Sequence, residues 1–240
     1  MSAIGAVPIR TFVPTRASGR SGAVLLYHGL RSSMGSVVRE AAILAEAGLT
    51  VVLVDAPHHG ARRSRVVDEM PNALEMPGFA TVLRVVREAR DEVPALVDHL
   101  LAEGHPRVAV AGVSFGGFIA LAAATVEPRL AAIASVLGTP DWTPRSGAVP
   151  PELAEVVRES PLERPETFAL RPLSMLNGAL DENVPPGGAR ALAEKLRPIY
   201  ATGGGPLVQH AYAGTTHFPS PAVWHDMWTR TARFLAQASG

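Results

Sequence analysis

The feature that most constrains the fold of this chain is a series of apolar runs, each five to seven residues long. Continuous apolar runs, unlike alternating ones, are typical of strands buried on both faces, as in a parallel sheet. The six clearest runs are Ala23–Tyr27, Thr50–Val54, 107–113, 131–137, 172–177 and Leu207–Tyr212. An earlier extended piece, 9–13, is bracketed by Pro8 and Pro14, which favours a strand at the edge of the sheet.

Helix-like segments separate the apolar runs. They are 36–47, 82–103, 117–126, 186–196 and 222–236. Strands that alternate with helices predict an α/β fold in which helices flank a mostly parallel central sheet. A length of 240 residues suits one domain, so we expect a single domain over residues 1–240.

Two proline-containing stretches, 62–79 and 143–171, interrupt the alternation. Both are too short for a second domain, and we predict that they are excursions above the sheet that cover a pocket. Little or no cap is therefore expected. A third irregular stretch, 18–22, has the glycines of a phosphate-binding loop but lacks the Gly-Lys-Ser/Thr ending and a following helix. It predicts a hairpin turn instead.

Charge and composition argue against several classes of function. Lys+Arg and Asp+Glu both number 22, so a nucleic-acid or anionic-membrane partner, which would favour a basic excess, is not expected. The chain has no cysteine, which excludes disulfides, thiolate metal sites and Cys nucleophiles. No segment approaches the roughly 18 apolar residues of a membrane span, and no signal peptide is visible, so a cytoplasmic location is expected. The oligomeric state stays open.

The strongest local signal is Gly-Val-Ser-Phe-Gly at 112–116, which fits the pattern G-x-S-x-G. An apolar run leads directly into it and a small-residue helical segment follows, which is the context of a nucleophile elbow. Gly112 and Gly116 lack side chains, so the strand and the helix can approach closely. Ser114 would then present its hydroxyl near the positive end of the helix. Ser114 is the candidate nucleophile, and the alternative is a Gly-Ser turn without chemistry.

A serine hydroxyl needs a base to take its proton. After such an elbow the acid comes first along the chain and the histidine last. His217 lies in the loop between the last apolar run and the final helical segment, so it is the candidate base. His225, within the final helix, and His210, within the preceding strand, are the alternatives, and we expect the first to lie on the surface and the second to be packed.

The acid must follow a late strand and precede the histidine. Asp181 does so, and its role would be to fix the imidazole tautomer and stabilise the imidazolium. Acidic residues are also common in turns, and Glu182 is adjacent. Asp141, which follows the previous strand, would serve in a variant layout.

Acyl transfer also needs hydrogen-bond donors for the negative charge that develops on the carbonyl oxygen. The residue after the nucleophile, Phe115, is expected to supply one backbone N–H, and a loop after an early strand the other. Leu30, in the sequence Tyr-His-Gly-Leu at 27–30, is the best candidate for the second donor. His28 is expected to brace this loop rather than to take part in the chemistry.

These features together resemble the α/β-hydrolase superfamily. Over about 23–235, the His28-Gly29 pair, the segment 55–60, the Ser114 elbow and the loops with Asp181 and His217 occur in the family's order. More narrowly, the chain resembles small bacterial carboxylesterases related to the dienelactone-hydrolase and prolyl-oligopeptidase branches. The residues that carry this narrower resemblance are Ala47-Gly48, Asp-Ala-Pro-His-His-Gly-Ala-Arg at 55–62, and Asn177-Gly178 with Asp181 and Val184-Pro185.

The resemblance implies a serine hydrolase of small-molecule, short-chain acyl esters that works without a cofactor and uses Ser114, Asp181 and His217 as its triad. The chain departs from a true dienelactone hydrolase, which uses a Cys nucleophile, and from oligopeptidases, which carry a large extra domain. The same triad would also serve a small peptidase, amidase or thioesterase. A third hypothesis is a non-catalytic binding protein on the same scaffold, although such proteins usually lack one or more catalytic residues.

Candidate pocket residues are chosen from their position along the chain. We predict that Met34, Trp142 and Phe218 contact the substrate, together with the stretch 70–79. His58-His59 beside Asp55 resembles a metal site, but adjacent ring groups tend to point apart and no further ligand motif is evident. No metal is therefore expected.

Overall fold

An eight-stranded sheet forms the centre of the protein. A computed structural model describes residues 2–14 and 21–239. The strands are β1 (Ser2–Ile4), β2 (Val7–Phe12), β3 (Ala23–Tyr27), β4 (Thr50–Val54), β5 (Val108–Val113), β6 (Leu130–Val136), β7 (Leu173–Gly178) and β8 (Leu207–Tyr212). Their order across the sheet is β1-β2-β4-β3-β5-β6-β7-β8. The pairs β1–β2 and β2–β4 are antiparallel and the others are parallel.

Helices cover both faces of this sheet. They are α1 (Val38–Glu46), α2 (Arg65–Asp68), α3 (Gly78–Ala102), α4 (Phe115–Ala123), α5 (Ala154–Arg158), α6 (Gly187–Tyr200) and α7 (Pro221–Ser239). Apolar side chains of α3, α4 and α6 form one buried cluster with the sheet, and those of α1 and α7 form a second cluster. Along β3, Leu25 and Tyr27 belong to the first cluster and Val24 and Leu26 to the second. Because both faces are covered, the strand reads as a continuous apolar run.

The predicted α/β architecture is confirmed. Three of the six predicted runs match their strands at both ends, and the other three differ by one residue at one or both ends. The helices are less well predicted, because α3 begins at Gly78 and runs through Pro94, and α6 continues through Pro198 to Tyr200. None of the described helices combines the length and the apolar character that crossing a bilayer requires. The single-domain organisation stays a prediction.

Two expectations about the sheet edges were wrong. The piece 9–13 was expected at an edge, but it falls within β2, which pairs with both β1 and β4. The edge strand is β1, which is only three residues long and gives no readable pattern. His210 was expected to be packed, but β8 is the opposite edge strand and His210 is exposed, with its ring edge-on to Tyr212. Most of the predicted hairpin turn at 18–22 lies outside the described residues.

Apart from the first two residues of α3, the α-helices within the excursions 62–79 and 143–171 are short: α2 has four residues and α5 has five. Each contributes to the wall of one cavity, the first through Ala73, Leu74 and Phe79 and the second through Thr143, Pro144, Arg145 and Gly147. The second excursion is tied to α3 by Glu159, directly after α5. Its carboxylate accepts hydrogen bonds from Arg87 Nη2 and Arg90 Nη1, each 2.7 Å long.

Candidate active site

Ser114 occupies the sharp turn between β5 and α4. Its φ of 53° and ψ of −116° lie in a region that a non-glycine residue adopts only under constraint. Its N–H donates to the carbonyl of Val136 over 2.8 Å, and its own carbonyl accepts from the N–H of Phe118 over 3.1 Å. The flanking glycines are required for space, because a Cβ on Gly112 would lie 2.1 Å from the carbonyl oxygen of Gly116. The motif therefore folds as the strained turn that its sequence predicts.

Ser114, His217 and Asp181 form one hydrogen-bonded chain, although they are far apart in sequence. Ser114 Oγ lies 2.9 Å from His217 Nε2, and His217 Nδ1 lies 2.7 Å from Asp181 Oδ2. An ionised carboxylate can only accept a hydrogen bond, so the proton is on Nδ1 and the lone pair of Nε2 faces the serine hydroxyl. The His217 side chain is 13% exposed and that of Asp181 is fully buried. This arrangement can move a proton from Ser114 to His217.

The carboxylate of Asp181 is held in place by backbone groups. Its second oxygen, Oδ1, accepts from the N–H of Asn183 over 2.9 Å and from that of Val184 over 2.8 Å. The loop that carries His217 lies against the same turn, since Leu180 N–H donates to the carbonyl of Thr215 over 2.8 Å. The two loops are therefore fixed relative to each other. Asp141, the alternative acid, instead accepts from the N–H of Thr143.

The two residues predicted to supply backbone donors, Leu30 and Phe115, lie close to Ser114. Leu30 and Phe115 both line the cavity that contains Ser114. Phe115 is the first residue of α4, so its N–H has no acceptor within the helix. Leu30 belongs to the loop that follows β3. Two backbone N–H groups from separate segments are the arrangement that stabilises a developing oxyanion.

His28 braces the loop that carries Leu30. Its Nδ1–H donates to the carbonyl of Gly29 over 2.8 Å, and its Nε2 accepts from the N–H of Ala56 over 3.2 Å. Burial lowers the pKa of His28 to about 4, so the ring is neutral at physiological pH. Only a neutral imidazole donates through one nitrogen and accepts through the other, so the burial and the two hydrogen bonds are mutually consistent.

Asp55 joins the segment after β4 to the same loop. Its buried carboxylate accepts from the N–H of Met34 over 2.7 Å and from that of Ala61 over 2.8 Å. In the same segment the His59 ring stacks on the ring of Phe115, with centroids 4.9 Å apart. These side chains support the site from behind. No cluster of three or more His, Cys, Asp or Glu side chains suited to a metal occurs among the described residues.

A second Ser–His–acid chain lies outside the cavity. Ser64 Oγ is 2.8 Å from His58 Nδ1, and His58 Nε2 is 2.9 Å from Glu88 Oε2. Ser64 caps α2, because its hydroxyl oxygen accepts from the N–H of Val66. It follows no elbow and does not line the cavity. It has the same residue types as the series Ser114–His217–Asp181 but lacks the elbow and the cavity.

A cavity of about 890 Å³ opens above Ser114 and His217. Its apolar lining includes Leu74, Phe79, Val82, Phe118, Leu137, Val184 and Trp224. Two charged side chains, Asp141 and Arg145, interrupt the apolar wall. A cavity of this composition suits a small apolar ligand whose reacting group is placed by a few polar atoms.

The structure corrects two of the three predicted pocket residues. Phe218 lines the cavity and is 81% exposed at its rim. Met34, 5% exposed, packs in the cluster with α1 and α7, and Trp142, fully buried, packs in the other cluster. Chain position located their loops but not the direction of their side chains. Sequence reasoning also missed Phe118 and Trp224, because an aromatic residue on a helix gives no sign that it faces a cavity.

A mostly parallel sheet with a strained serine turn after β5 places this protein in the class of α/β-hydrolase folds. The model of the alpha/beta hydrolase family matches residues 23–239, so the chain belongs to that family. It is 27% identical over 199 residues to YitV of Bacillus subtilis (strain 168), covering 74% of this chain and 75% of that protein. It is 30% identical over 194 residues to the esterase YjfP of Escherichia coli (strain K12), covering 72% and 74%.

The solved structures show the same fold. The crystal structure of TT1662 from Thermus thermophilus superposes with a TM-score of 0.77, at 24% identity, and covers 99% of this chain and 95% of that one. Family membership supports an enzyme of the hydrolase class.

Proposed function

We propose that this protein is a serine hydrolase that cleaves short-chain carboxylic esters through an acyl-enzyme intermediate. The observation that carries the proposal is the hydrogen-bonded chain of Ser114, His217 and Asp181 at a strained elbow. Membership of the hydrolase family supports the reaction class, and the similarity to an Escherichia coli esterase supports an ester as substrate. We propose a small-molecule ester as the binding partner and propose neither a nucleic-acid nor a membrane partner. The proposed location is the cytoplasm.

In the first half of the reaction the ester carbonyl oxygen points toward the N–H groups of Leu30 and Phe115. The hydroxyl of Ser114 attacks the carbonyl carbon while Nε2 of His217 takes its proton. Asp181 stabilises the imidazolium that forms. Each backbone donor stabilises the tetrahedral oxyanion by about 3 kcal/mol. The alcohol then leaves with the proton from His217, and the acyl group remains on Ser114.

In the second half a water molecule releases the acid. His217 takes a proton from the water as it attacks the acyl carbonyl, and the same two N–H groups hold the second oxyanion. When the C–O bond to Ser114 breaks, His217 returns the proton to the serine oxygen. Each proton therefore passes between substrate, water and these side chains, and the reaction as proposed requires no cofactor.

The cavity supports a substrate with an apolar acyl group. Its volume of about 890 Å³ exceeds what an acetyl group fills. Asp141 and Arg145 lie in the cavity wall, and an acyl chain that reaches them would desolvate them, which is costly without new hydrogen bonds. With p-nitrophenyl acetate, butyrate and octanoate, we expect kcat/KM to fall from butyrate to octanoate. An octanoate ester hydrolysed fastest would contradict the short-chain proposal and leave the reaction class untouched.

The same chain of residues would serve a small peptidase, an amidase or a thioesterase. Matched ester, thioester and anilide substrates with one acyl group separate these functions, and we expect the ester to be cleaved at least tenfold faster than the anilide. Equal or faster anilide cleavage would replace the esterase proposal with an amidase. A non-catalytic binding protein would fail to react with a fluorophosphonate while folded.

A further inference from the structure

Trp224 forms part of the wall of the candidate catalytic cavity. It lies in the first turn of α7, where its N–H donates to the carbonyl of Ser220 over 2.9 Å, directly after the loop that carries His217. The indole is half-buried and meets Trp228 edge-on, with ring centroids 5.9 Å apart. A side chain at this position, beside the His217 loop, is placed to affect which acyl groups the cavity accepts.

The indole is held by a buried carboxylate on another helix. Nε1–H of Trp224 donates to Oε1 of Glu40 over 2.6 Å, which joins α7 to the first turn of α1. Glu40 is buried, its Oε2 has no hydrogen-bond partner, and no Lys, Arg or His side chain within the described residues pairs with it. Burying a charge in this way is costly. Two groups favour a negative charge at this position: the amino end of α1, through the helix dipole, and the indole N–H of Trp224.

We propose that Glu40 is a positioning residue that fixes the orientation of Trp224 and so limits the size of the acyl group that the cavity accepts. A hydrogen bond to a carboxylate is shorter and stronger than one to a neutral acceptor, and here it aims a single N–H at one oxygen. When that acceptor is removed, the indole turns to find another partner and the wall opens. The proposal rests on the proposed ester hydrolysis for its kinetic consequence but not for the position of the ring.

The position of the ring is measured by acrylamide quenching of tryptophan fluorescence. The chain has 3 tryptophans, and Trp142 and Trp228 are fully buried, so the quenching constant reports mainly on Trp224. We expect Glu40→Ala to raise the quenching constant at least twofold. Glu40→Gln keeps an acceptor oxygen and should remain close to the wild type. Glu46→Ala, an exposed glutamate on the same helix, is the matched control and should change nothing.

The kinetic consequence is measured as the ratio of kcat/KM for p-nitrophenyl octanoate to that for the acetate. We expect Glu40→Ala to raise this ratio at least fivefold, mainly through KM for the octanoate, and Glu40→Gln to change it less than twofold. Trp224→Phe removes the N–H donor and should give an octanoate-to-acetate ratio similar to that of Glu40→Ala. Adding Glu40→Ala to Trp224→Phe should then have little further effect, because the two residues act through one contact.

Several outcomes would overturn the proposal. If Glu40→Ala lowers kcat/KM equally for both esters and also lowers Tm, Glu40 is a structural residue only. If Glu40→Gln behaves as Glu40→Ala does, the hydrogen bond that residue 40 accepts from Trp224 is not the cause of the effect. Unchanged quenching in a variant of an enzyme that does hydrolyse esters would end this proposal and leave the proposed function intact. A wild type that hydrolyses no ester would instead end the proposed function, while a raised quenching constant would still support the positioning of Trp224.

Discussion

At the scale of single residues, the reactive groups are held by neighbours that do no chemistry themselves. One carboxylate oxygen of Asp181 accepts hydrogen bonds from two backbone N–H groups, and the other accepts one from His217. His28 accepts a hydrogen bond from the N–H of Ala56 and donates one to the carbonyl of Gly29, which fixes the loop that carries Leu30. The sequence identified the triad candidates by their order along the chain. It could not reveal these supporting hydrogen bonds, because they depend on backbone groups whose positions only the folded loops define.

The substitution Asp181→Asn tests the tautomer of His217. The N–H groups of Asn183 and Val184 keep an acceptor when the amide oxygen faces them, so the amide NH₂ turns toward Nδ1 of His217. The imidazole proton then moves to Nε2, which can no longer take the proton of Ser114. We expect kcat for p-nitrophenyl butyrate to fall roughly 10⁴-fold with little change in KM. Glu182→Gln, an exposed neighbour, should retain at least half of the activity, and the opposite pattern would assign the acid to Glu182.

The buried His28 predicts how stability depends on pH. Because burial lowers the pKa of His28 to about 4, the unfolded chain binds a proton below about pH 6.5 that the folded chain does not. The free energy of unfolding should therefore fall as the pH falls from about 6.5 to about 4, by up to about 1.4 kcal/mol per pH unit from this group. The pKa of His59 is also lowered by burial and acts in the same direction.

Denaturant unfolding at a series of pH values measures this slope. We expect His28→Asn, which keeps a donor for the carbonyl of Gly29, to have a smaller slope between pH 6.5 and 4 than the wild type. The variant should also be less stable at pH 8, because the N–H of Ala56 loses its acceptor. Equal slopes for the two proteins would mean that His28 is not the neutral, buried group described here.

At the scale of elements, the strands were predictable and the loops were not. Each central strand lies between two layers of helices, so its apolar run is nearly uninterrupted and its ends are marked by polar residues or glycine. β1 left no such signal because it has three residues and one buried side chain. Met34 and Trp142 were assigned to the pocket from loop position alone, and both point into the apolar clusters instead. Long-range contacts decide the direction of a side chain in a loop, and they cannot be read from its local pattern.

The ion pairs of Glu159 with Arg87 and Arg90 connect the excursion 143–171 to α3, and their contribution to stability can be tested. Burial tends to raise the pKa of its carboxyl, but hydrogen bonds from Arg90 and Arg87 outweigh this and lower it. We expect Glu159→Gln to reduce the free energy of unfolding by about 1–3 kcal/mol at pH 7, since it leaves Arg90, whose side chain is 8% exposed, with fewer acceptors.

Thermal or denaturant unfolding measures this loss, with Glu155→Gln as the control. Glu155 lies on α5 and pairs with Arg158 in solvent, so its loss should cost less than about 0.5 kcal/mol. Because the pKa of Glu159 is lowered, its contribution should be present above the ordinary carboxyl pKa and disappear as the pH falls through its folded value. A difference between wild type and Glu159→Gln that persists unchanged at pH 3 would contradict the ion-pair explanation.

At the scale of the whole molecule, the order of the strands explains how distant residues meet. The loops after β3, β5, β7 and β8 carry Leu30, Ser114, Asp181 and His217, and these strands run parallel within one sheet. The carboxyl ends of parallel strands lie at one edge, so the four loops converge there. Asp141 follows β6, between two of these strands, which is why the sequence alone offered it as an alternative acid. The fold supplies both candidates, and the hydrogen bond from His217 selects Asp181.

The role of Ser114 as nucleophile is tested by comparing Ser114→Ala with Ser64→Ala. Each variant is assayed for hydrolysis of p-nitrophenyl butyrate, and for covalent labelling by a fluorophosphonate with the site located by mass spectrometry. Ser64 is hydrogen-bonded to His58, which pairs with Glu88, so it controls for a serine beside a histidine and an acid without the elbow. We expect Ser114→Ala to lose covalent labelling and at least about 10⁴-fold in kcat, and Ser64→Ala to keep both. Near-normal hydrolysis by Ser114→Ala, or labelling at another serine, would contradict this role of Ser114.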